Sequence, residues 1–300
     1  MDVAASGFLL PEGPVALADG SVLVVEVGGG RLSRVAANGS VEVVAHLGGG
    51  PNGAAIGPDG AVYVCNNGGG YDCAMVDGRL RIALAPERYV GGSIQRVDLA
   101  TGVATTLYTD CDGVRLLAPN DIVFDADGGL WFTDHGLSEA HRKTYGGLYY
   151  AHVDGDHIRC VRPRLLSPNG IGLSPDGRWL YWADTLTARL WRAEVTGPGR
   201  LASDGAMPGE LVATAPGHIM LDSLAVEADG AVCIGSIARG GITVITPDGA
   251  CDHVPIDDPM VTNICFGGED GRNVWITAAG TGRLLRGRWP RPGLPLAFNA

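Results

Sequence analysis

Lysine is almost absent from this chain of 300 residues, and no basic run occurs anywhere in it. The formal net charge is −11, so nucleic acids and anionic membrane surfaces are poor candidates for partners. No apolar stretch reaches the roughly 20 residues that a transmembrane helix needs. The N-terminus also lacks the basic start and apolar core of a secretion signal. We therefore expect a cytoplasmic protein whose partner is a small molecule.

Cysteine pairs and the usual hydrolase motifs are missing as well. The seven cysteines are irregularly spaced and include no Cys-x-x-Cys pair, which argues against a disulfide framework and against a thiolate zinc site. Neither a Gly-x-Ser-x-Gly nucleophile elbow nor a phosphate-binding Gly-Lys-Ser loop occurs. Serine-hydrolase and nucleotidase activities therefore have no support in the sequence.

Glycine, in contrast, is abundant, with 47 residues, and much of it belongs to a repeat. In six units a polar residue is followed eight positions later by a glycine that itself follows an aspartate. The units are residues 12–20, 52–60, 120–128, 169–177, 222–230 and 263–271. Each Asp-Gly turn separates two short apolar strands, and further strands follow. This pattern predicts an all-β, six-bladed β-propeller with four antiparallel strands per blade, folded as one domain over residues 1–300.

Ring closure and two long insertions complete the predicted architecture. The last unit supplies three strands, so we expect residues 3–9 to close the last blade as its outer strand. The excursions 66–91 and 135–146 both leave after a second strand, at the end of the ring where the first strands begin. We expect them to lie over the mouth of the central channel and to shape a binding site. The connection 197–209 leaves from a different strand pair and is predicted to be a surface loop.

The polar residues that open the six first strands are predicted to converge at one end of the channel. For any single unit, an Asn or Asp before a strand is more often a turn residue that satisfies backbone donors. The alignment of six such positions instead favours binding of a cation by these side chains. The Glu in the first unit supports this, because Glu has no special role in turns. Two carboxylates and four amides form an oxygen donor set suited to a hard cation, Ca²⁺ above all. The six residues are Glu12, Asn52, Asn120, Asn169, Asp222 and Asn263.

Several segments around these positions carry a family resemblance. They are Pro11-Glu12-Gly13-Pro14, Pro119-Asn120-Asp121, Pro168-Asn169-Gly170-Ile171, Ser174-Pro175-Asp176-Gly177, Leu221-Asp222-Ser223-Leu224-Ala225 and Ile264-Cys265-Phe266-Gly267-Gly268. Through them the chain resembles the senescence marker protein-30, gluconolactonase and luciferin-regenerating-enzyme family of six-bladed propellers. The resemblance implies one divalent cation, usually Ca²⁺ but also Zn²⁺, Mn²⁺ or Fe²⁺. Matched by motif, its ligands would be Glu12, Asn120, Asn169 and Asp222.

The same resemblance suggests how the site would work. It implies Asp222 as the base that removes a proton from the attacking water. His135, at the predicted channel mouth, is a second candidate base, although an inert loop histidine is the more common case. Sugar-lactone members of the family often carry Arg two residues before the third-blade Asn, where this chain has Ala118. The departure leaves sugar specificity open and favours a less polar lactone or ester.

Four further residues are predicted to contact the substrate. Asn52 and Asn263 belong to the polar ring, Tyr71 lies in a glycine-rich stretch of the first excursion, and Arg115 lies just upstream of Ala118. An aromatic residue in such a loop is more often a packing residue, so Tyr71 has an alternative structural role.

These features predict a metal-dependent hydrolase that opens a lactone with water activated by the cation. Three alternatives stay open. One is calcium-dependent hydrolysis of phosphotriesters or aryl esters on a similar ligand set. The second is a metal-independent Pictet–Spengler condensation, which a metal-competent ring disfavours. The third is a non-catalytic, ligand-binding propeller in which the cation is structural, since the fold alone does not determine function.

Overall fold

The computed structural model describes residues 1–203 and 207–299 and has the architecture of a six-bladed β-propeller. Blades one and two contain the strands Pro11–Ala16, Val22–Glu26, Arg31–Val35 and Val41–His46, then Pro51–Ile56, Val62–Asn66, Ser93–Val97 and Ala104–Tyr108. Blades three and four contain Pro119–Phe124, Leu130–Asp134, Gly146–Ala151 and Ile158–Leu165, then Pro168–Leu173, Trp179–Asp184, Arg189–Gly197 and Glu210–Thr214. Blades five and six contain Met220–Val226, Val232–Ile237, Ile242–Ile245 and Cys251–Val254, then Val261–Gly267, Asn273–Ala278, Arg283–Arg288 and Asp2–Ser6. The predicted fold is confirmed.

Short elements connect or extend these blades. They are the hairpin strands Tyr71–Val76 and Arg79–Leu84, the strand pair Asp110–Cys111 and Val114–Arg115, the strand Arg200–Leu201, and the 3₁₀ turns Pro86–Arg88 and Ala279–Thr281. In the described ranges no helix is long and apolar enough to cross a membrane. The predicted surface loop 197–209 contains Arg200–Leu201, while its residues 204–206 lie outside the described part of the chain.

The Asp-Gly turns explain why the repeat recurs so regularly. The turn glycine of every unit has a positive φ, from 65° at Gly271 to 92° at Gly230. A side chain in that left-handed region is strained, so glycine is the natural residue at this corner. The aspartate before it often caps the turn, as when Asp176 Oδ1 accepts a hydrogen bond from the Arg178 amide at 3.0 Å and Asp59 Oδ1 accepts one from the Ala61 amide at 3.2 Å. Local chemistry therefore sets the first hairpin of each blade.

The ring closes through the N-terminus, as predicted. Asp2–Ser6 pairs antiparallel with Arg283–Arg288 as the outer strand of blade six. The strand is shorter than the predicted range 3–9 because the chain turns away at Gly7, where φ is +89°. Blade six thus combines the two ends of the chain, and opening it would separate the first strand from the last three.

Packing occurs between blades and not on the central axis. Among the described residues, six clusters of buried apolar side chains each join two neighbouring blades. Between blades two and three, for example, Tyr63 and Phe124 meet edge to face with ring centroids 5.2 Å apart. Aromatic pairs of this geometry add to the burial energy. Because the core lies between the sheets, the innermost strands are free to present polar residues to the axis.

The buried carboxylate of Glu227 binds the segment that follows the third strand of blade six. Glu227, fully buried in blade five, accepts a hydrogen bond from Trp289 Nε1 at 2.6 Å and pairs with the guanidinium of Arg291. Cys233 Sγ lies 3.1 Å from the same carboxylate. Burial alone would raise the pKa of Glu227, but the hydrogen bonds from Arg291, Trp289 and Cys233 hold it below its ordinary value. This contact locks blade five to the end of blade six.

Candidate metal centre and active site

The first strands begin around a cavity of about 240 Å³ at one end of the channel. Seven of the residues predicted from the sequence line this cavity. They are Glu12, Asn52, Tyr71, Asn120, His135, Asn169 and Asp222. The three-dimensional fold therefore brings together residues that lie up to 210 positions apart in the chain (222 − 12).

Local irregularities in the strands turn these side chains toward the axis. In blades two to five the pairing between first and second strands shifts register across the polar residue, and in blade one the shift immediately follows Glu12. In blade six the shift immediately precedes Asn263. Such bulges bend a strand and change the direction of a side chain, and they are frequent beside active sites. The repeated bulge explains why one position per blade faces the channel.

The two ring carboxylates are buried without a basic partner. Glu12 is 3% exposed, and its Oε2 accepts hydrogen bonds from the Gly13 amide at 2.8 Å and from Asn263 Nδ2 at 2.9 Å. Burial raises the pKa of Glu12 to about 7. The pKa of Asp222 is raised well above its ordinary value by burial and by the nearby charge of Glu12. Within the described part of the chain neither carboxylate pairs with Arg or Lys. Burying a carboxylate without a basic partner is unfavourable unless a cation compensates its charge.

The amide ligands predicted for the cation differ in how they are held. Asn169 donates through Nδ2 to Thr185 Oγ1 at 3.1 Å, and its Oδ1 accepts a hydrogen bond from Ser223 Oγ at 3.3 Å. These contacts fix the rotation of the amide and leave one lone pair of Oδ1 toward the cavity. Asn120 Oδ1 and Asn52 Oδ1 are buried side-chain oxygens with no hydrogen-bond partner in the described structure. Such orphaned acceptors are rare in proteins and point to a bound group.

This donor set fits a hard divalent cation. Two carboxylates and two or three amide oxygens converge, and no thiolate or imidazole nitrogen is needed among the proposed ligands. Nowhere in residues 1–203 and 207–299 do three His, Cys, Asp or Glu side chains gather closely enough to hold a metal. A cation at this site would therefore depend on the amide oxygens as well as on Glu12 and Asp222.

Asp121 is a buried residue of this centre that the sequence analysis did not single out. Its carboxylate accepts the amide of Ile122 at 3.0 Å, the amide of Ile171 at 3.4 Å and that of Leu224. Each of these amides lies two residues after a proposed ligand, so Asp121 ties together the strands that carry Asn120, Asn169 and Asp222. Burial and the charge of Glu12 raise the pKa of Asp121 to about 8.

A sequence signal for Asp121 does exist. The residue after the polar head is Gly, Gly, Gly, Ser or Ile in the other five units and is acidic only in blade three. The glycines also make room for this carboxylate. A β-carbon on Gly53 would come 2.6 Å from the Asp121 Cα and 2.7 Å from its Oδ1. At this level of the channel the backbones of the two neighbouring blades therefore lie close together, because Gly53 has no side chain to separate them.

His135 lines the cavity beside Lys143, the single lysine of the chain. Burial and the lysine charge lower the pKa of His135 to about 4, so the ring is neutral at pH 7. Lys143 Nζ lies 3.3 Å from Nδ1, and it also donates to the carbonyl oxygens of His135 and Gly136. Nδ1 also lies 3.3 Å from the Gly136 carbonyl oxygen, so it faces one donor and one acceptor and both tautomers find a partner. In either tautomer the neutral ring is a weak base.

The loop that carries His135 is held by its neighbour. Asp134 accepts the amides of Leu117 at 2.7 Å, Ala118 at 2.8 Å and Gly136 at 2.9 Å. Burial nevertheless raises the pKa of this carboxyl group above its ordinary value. Asp134 thus organises the connection around Ala118 and His135.

Two predicted substrate contacts lie elsewhere. Arg115 is exposed and lines a separate cavity of about 210 Å³ with Asn66 and Gly91. It sits on the Val114–Arg115 strand, which pairs with Asp110–Cys111. Asn263 does not line the site cavity but donates to Glu12. Its amide therefore orients a proposed ligand, a role that depends on a contact between blades six and one.

Comparison with known proteins places the chain among similar propellers. The family model described as SMP-30/Gluconolactonase/LRE-like region matches residues 10–280. A gluconolactonase of Zymomonas mobilis is 26% identical over 77% of this chain, and a lactonase drp35 of Staphylococcus haemolyticus is 31% identical over 43% of it. These alignments span 61% and 39% of the two relatives, less than two thirds of their length.

A solved structure extends the likeness to nearly the whole fold. The gluconolactonase XC5397 of Xanthomonas campestris superimposes with a TM-score of 0.75, covering 95% of this chain and 88% of that one. The sequence identity in that pair is 22%, so the match demonstrates a shared fold and nothing about chemistry.

Proposed function

We propose that this chain, which belongs to the SMP-30/gluconolactonase/LRE-like family, is a divalent-metal-dependent hydrolase that opens lactones. The observation that carries the proposal is the convergence of buried, unpaired oxygens in one accessible cavity. Among the described residues Asn120 Oδ1 has no hydrogen-bond partner, and Glu12 and Asp222 have no basic counter-charge. The two curated relatives described above are a gluconolactonase and a lactonase, which supports the same class of substrate.

Glu12, Asn120, Asn169 and Asp222 would hold the cation, and we propose Ca²⁺ because every donor is an oxygen. Zn²⁺, Mn²⁺ and Fe²⁺ are the alternatives to be tested. When bound, the cation would polarise the ester carbonyl and make water more acidic. Residues around the four ligands hold their geometry: Asn263 donates to Glu12, Thr185 fixes the Asn169 amide, and Asp121 joins three of the ligand-bearing strands.

We assign the removal of the water proton to Asp222. Glu12 Oε2 already accepts two hydrogen bonds, from Gly13 and Asn263, and is less free to move toward a substrate. In hydrolysis the water oxygen bonds to the carbonyl carbon, the ring C–O bond breaks, and the proton passes through Asp222 to the departing alkoxide. Neutral His135, in the tautomer that carries its proton on Nε2, would donate a hydrogen bond to a substrate oxygen. This assignment replaces His135 as the alternative base.

The test is hydrolysis of a small panel of lactones by protein stripped with chelator and then reloaded with single cations. Activity should vanish on chelation and return with one cation. Asp222→Asn should reduce kcat by about 10²-fold or more, whereas His135→Gln, which retains a donor, should reduce it less. If Asp222→Asn retains full turnover while still binding the cation, Asp222 is not the base.

The rival functions give different results in the same experiment. Turnover of aryl esters or phosphotriesters without turnover of any lactone would replace the proposed substrate class. If no substrate is turned over and Glu12→Ala lowers only thermal stability, the cation is structural and the propeller is a binding protein.

A further inference from the structure

The hairpin inserted in blade two has one apolar face and one polar face. Its strands Tyr71–Val76 and Arg79–Leu84 pair in regular antiparallel register. Tyr71 lies opposite Leu84, Cys73 opposite Ile82, and Met75 opposite Leu80. Because side chains alternate along a strand, these six residues share a face. The opposite face carries Asp72, Ala74, Val76, Arg79, Arg81 and Ala83.

The apolar face of the hairpin is turned toward the proposed active site. Tyr71 and Ile82 line the cavity together with the proposed metal ligands. Between them, Cys73 packs on the backbone of blade one: a β-carbon on Gly28 would come 2.7 Å from Cys73 Cβ and 2.8 Å from Leu9 Cγ. On the polar face, Asp72 pairs with Arg88 in an exposed ion pair at 2.9 Å. The hairpin therefore has a fixed orientation, with its apolar side inward.

The other walls of the cavity are apolar as well. Leu10, Val27, Ala118, Ile237 and Met260 line it from blades one, three, five and six. None of the described residues that line the cavity is Arg or Lys. The polar residues of the lining are the four proposed ligands together with Asn52, Asn67, His135, Thr185 and Thr262. The cavity thus combines oxygen donors for the reacting ester with an apolar strip that includes Tyr71 and Ile82 of the hairpin.

The apolar surface also continues beyond the cavity. Ile82 is 40% exposed, Met75 38% and Leu84 52%, and all three lie on the same face of the hairpin. An alkyl chain attached to a lactone ring at the proposed ligands could pass Ile82 and continue along this face. A ring that carries a hydroxyl on each carbon would instead leave the hydroxyls that face this apolar strip without partners, which is unfavourable.

We infer that the substrate of this site is a lactone with an apolar substituent, such as an alkyl chain, and that Ile82 on the hairpin is a specificity-determining residue. The inference rests on the proposed hydrolase function and names the substrate class for the same site. Tyr71 and Met75 extend the surface on either side of Cys73. The apolar face of the hairpin makes the site favour alkyl lactones over polyhydroxylated ones.

The experiment measures kcat/KM for δ-valerolactone and for δ-lactones with alkyl chains of increasing length at C5, with D-glucono-1,5-lactone as the hydroxylated counterpart. Rates are divided by those of base-catalysed hydrolysis to remove intrinsic reactivity. We expect kcat/KM to rise about threefold per methylene over the first few carbons, close to the gain for burying apolar surface. D-Glucono-1,5-lactone should be the poorest substrate of the set.

Two matched variants then test the hairpin. Ile82→Ser, on the apolar face, should flatten the dependence on chain length. Val76→Ser removes a β-branched residue of similar exposure from the polar face and should leave that dependence as in the wild type. Size-exclusion chromatography of all three proteins shows whether the apolar face instead joins two copies of the chain.

The outcomes separate this inference from the proposed function. If D-glucono-1,5-lactone is the best substrate, or kcat/KM is independent of chain length, the hydrolase function stands and the inference is wrong. Equal flattening by both variants, or loss of a dimer in Ile82→Ser with unchanged selectivity, also overturns it. If no lactone of either kind is hydrolysed after cation loading, the proposed function itself fails.

Discussion

Replacing Asn120 by leucine is expected to change stability in opposite directions with and without the cation. Asn120 Oδ1 is buried and has no hydrogen-bond partner in the part of the chain that the structure describes. A buried unsatisfied polar group costs about 1–3 kcal/mol, whereas an apolar side chain of similar shape does not carry that penalty. Leucine is close to asparagine in shape, so Asn120→Leu should remove the penalty in metal-free protein.

The magnitudes follow from this comparison. Allowing for imperfect packing, we expect the free energy of unfolding of metal-free Asn120→Leu to rise by about 1 kcal/mol. A change of that size raises Tm by about 1.5–2 °C in a domain of 300 residues. Calcium at 100 times Kd stabilises the wild type by about 2.7 kcal/mol. If the lost ligand weakens binding 100-fold, the variant keeps only about 0.4 kcal/mol of that gain. The variant should then melt below the wild type.

Asn52→Leu is the matched control, because Asn52 Oδ1 is also buried without a partner but is not one of the four proposed ligands. It should melt above the wild type in both conditions and keep the full calcium-induced shift. Thermal melts in chelator and across a calcium titration measure both effects. If calcium shifts Tm equally in Asn120→Leu and wild type, Asn120 is not a ligand. If Asn120→Leu melts lower in chelator, its oxygen has a partner in solution.

Two further perturbations probe the buried carboxylates. Asp121→Ala leaves up to three backbone amides without an acceptor, so it should destabilise the calcium-loaded protein by about 2–4 kcal/mol. It should also weaken calcium binding at least about tenfold by calorimetry, since the strands bearing Asn120, Asn169 and Asp222 lose their common tie; unchanged affinity would contradict this role. Glu227→Ala should cost about 2 kcal/mol at pH 7, because the Trp289 N–H is left unpaired while exposed Arg291 returns to water. The folded pKa of Glu227 is depressed, so its stabilisation is present above about pH 4.3 and is lost as pH falls through the folded value. The gap between the denaturant midpoints of wild type and Glu227→Ala should therefore narrow as pH falls below about 4.3, and a constant gap down to pH 2 would refute the assignment.

Much of the architecture follows from local chemistry. The Asp-Gly turn at a constant distance from a polar residue sets each first hairpin, and glycine is required there because φ is positive. Six such hairpins in one chain predict six blades, and the shortage of strands after Asn263 predicts closure by the N-terminus. These features depend on residues close in sequence, so they could be predicted without a structure.

The contents of the site depend on contacts between blades. Asn263 and Arg115 were both predicted to touch substrate, yet Asn263 donates to Glu12 across the junction of blades six and one, and Arg115 lies outside the cavity. Asp121 was missed because its role consists of accepting amides from blades four and five as well as its own. Nothing within one unit reveals such a partner.

The hairpin of blade two likewise has one feature that the sequence predicts and one that depends on tertiary contacts. The alternation of apolar and polar residues in Tyr71–Val76 and Arg79–Leu84 is visible in the sequence, and it determines that the hairpin has two unlike faces. Which face turns toward the cavity was decided by the packing of Cys73 on Gly28 and Leu9 of blade one. By itself the sequence determined the ring, its turns and its polar heads, because these follow from short-range backbone and side-chain preferences. Only the tertiary structure decided which polar groups share a cavity and what surrounds them, because those contacts join distant segments of the chain.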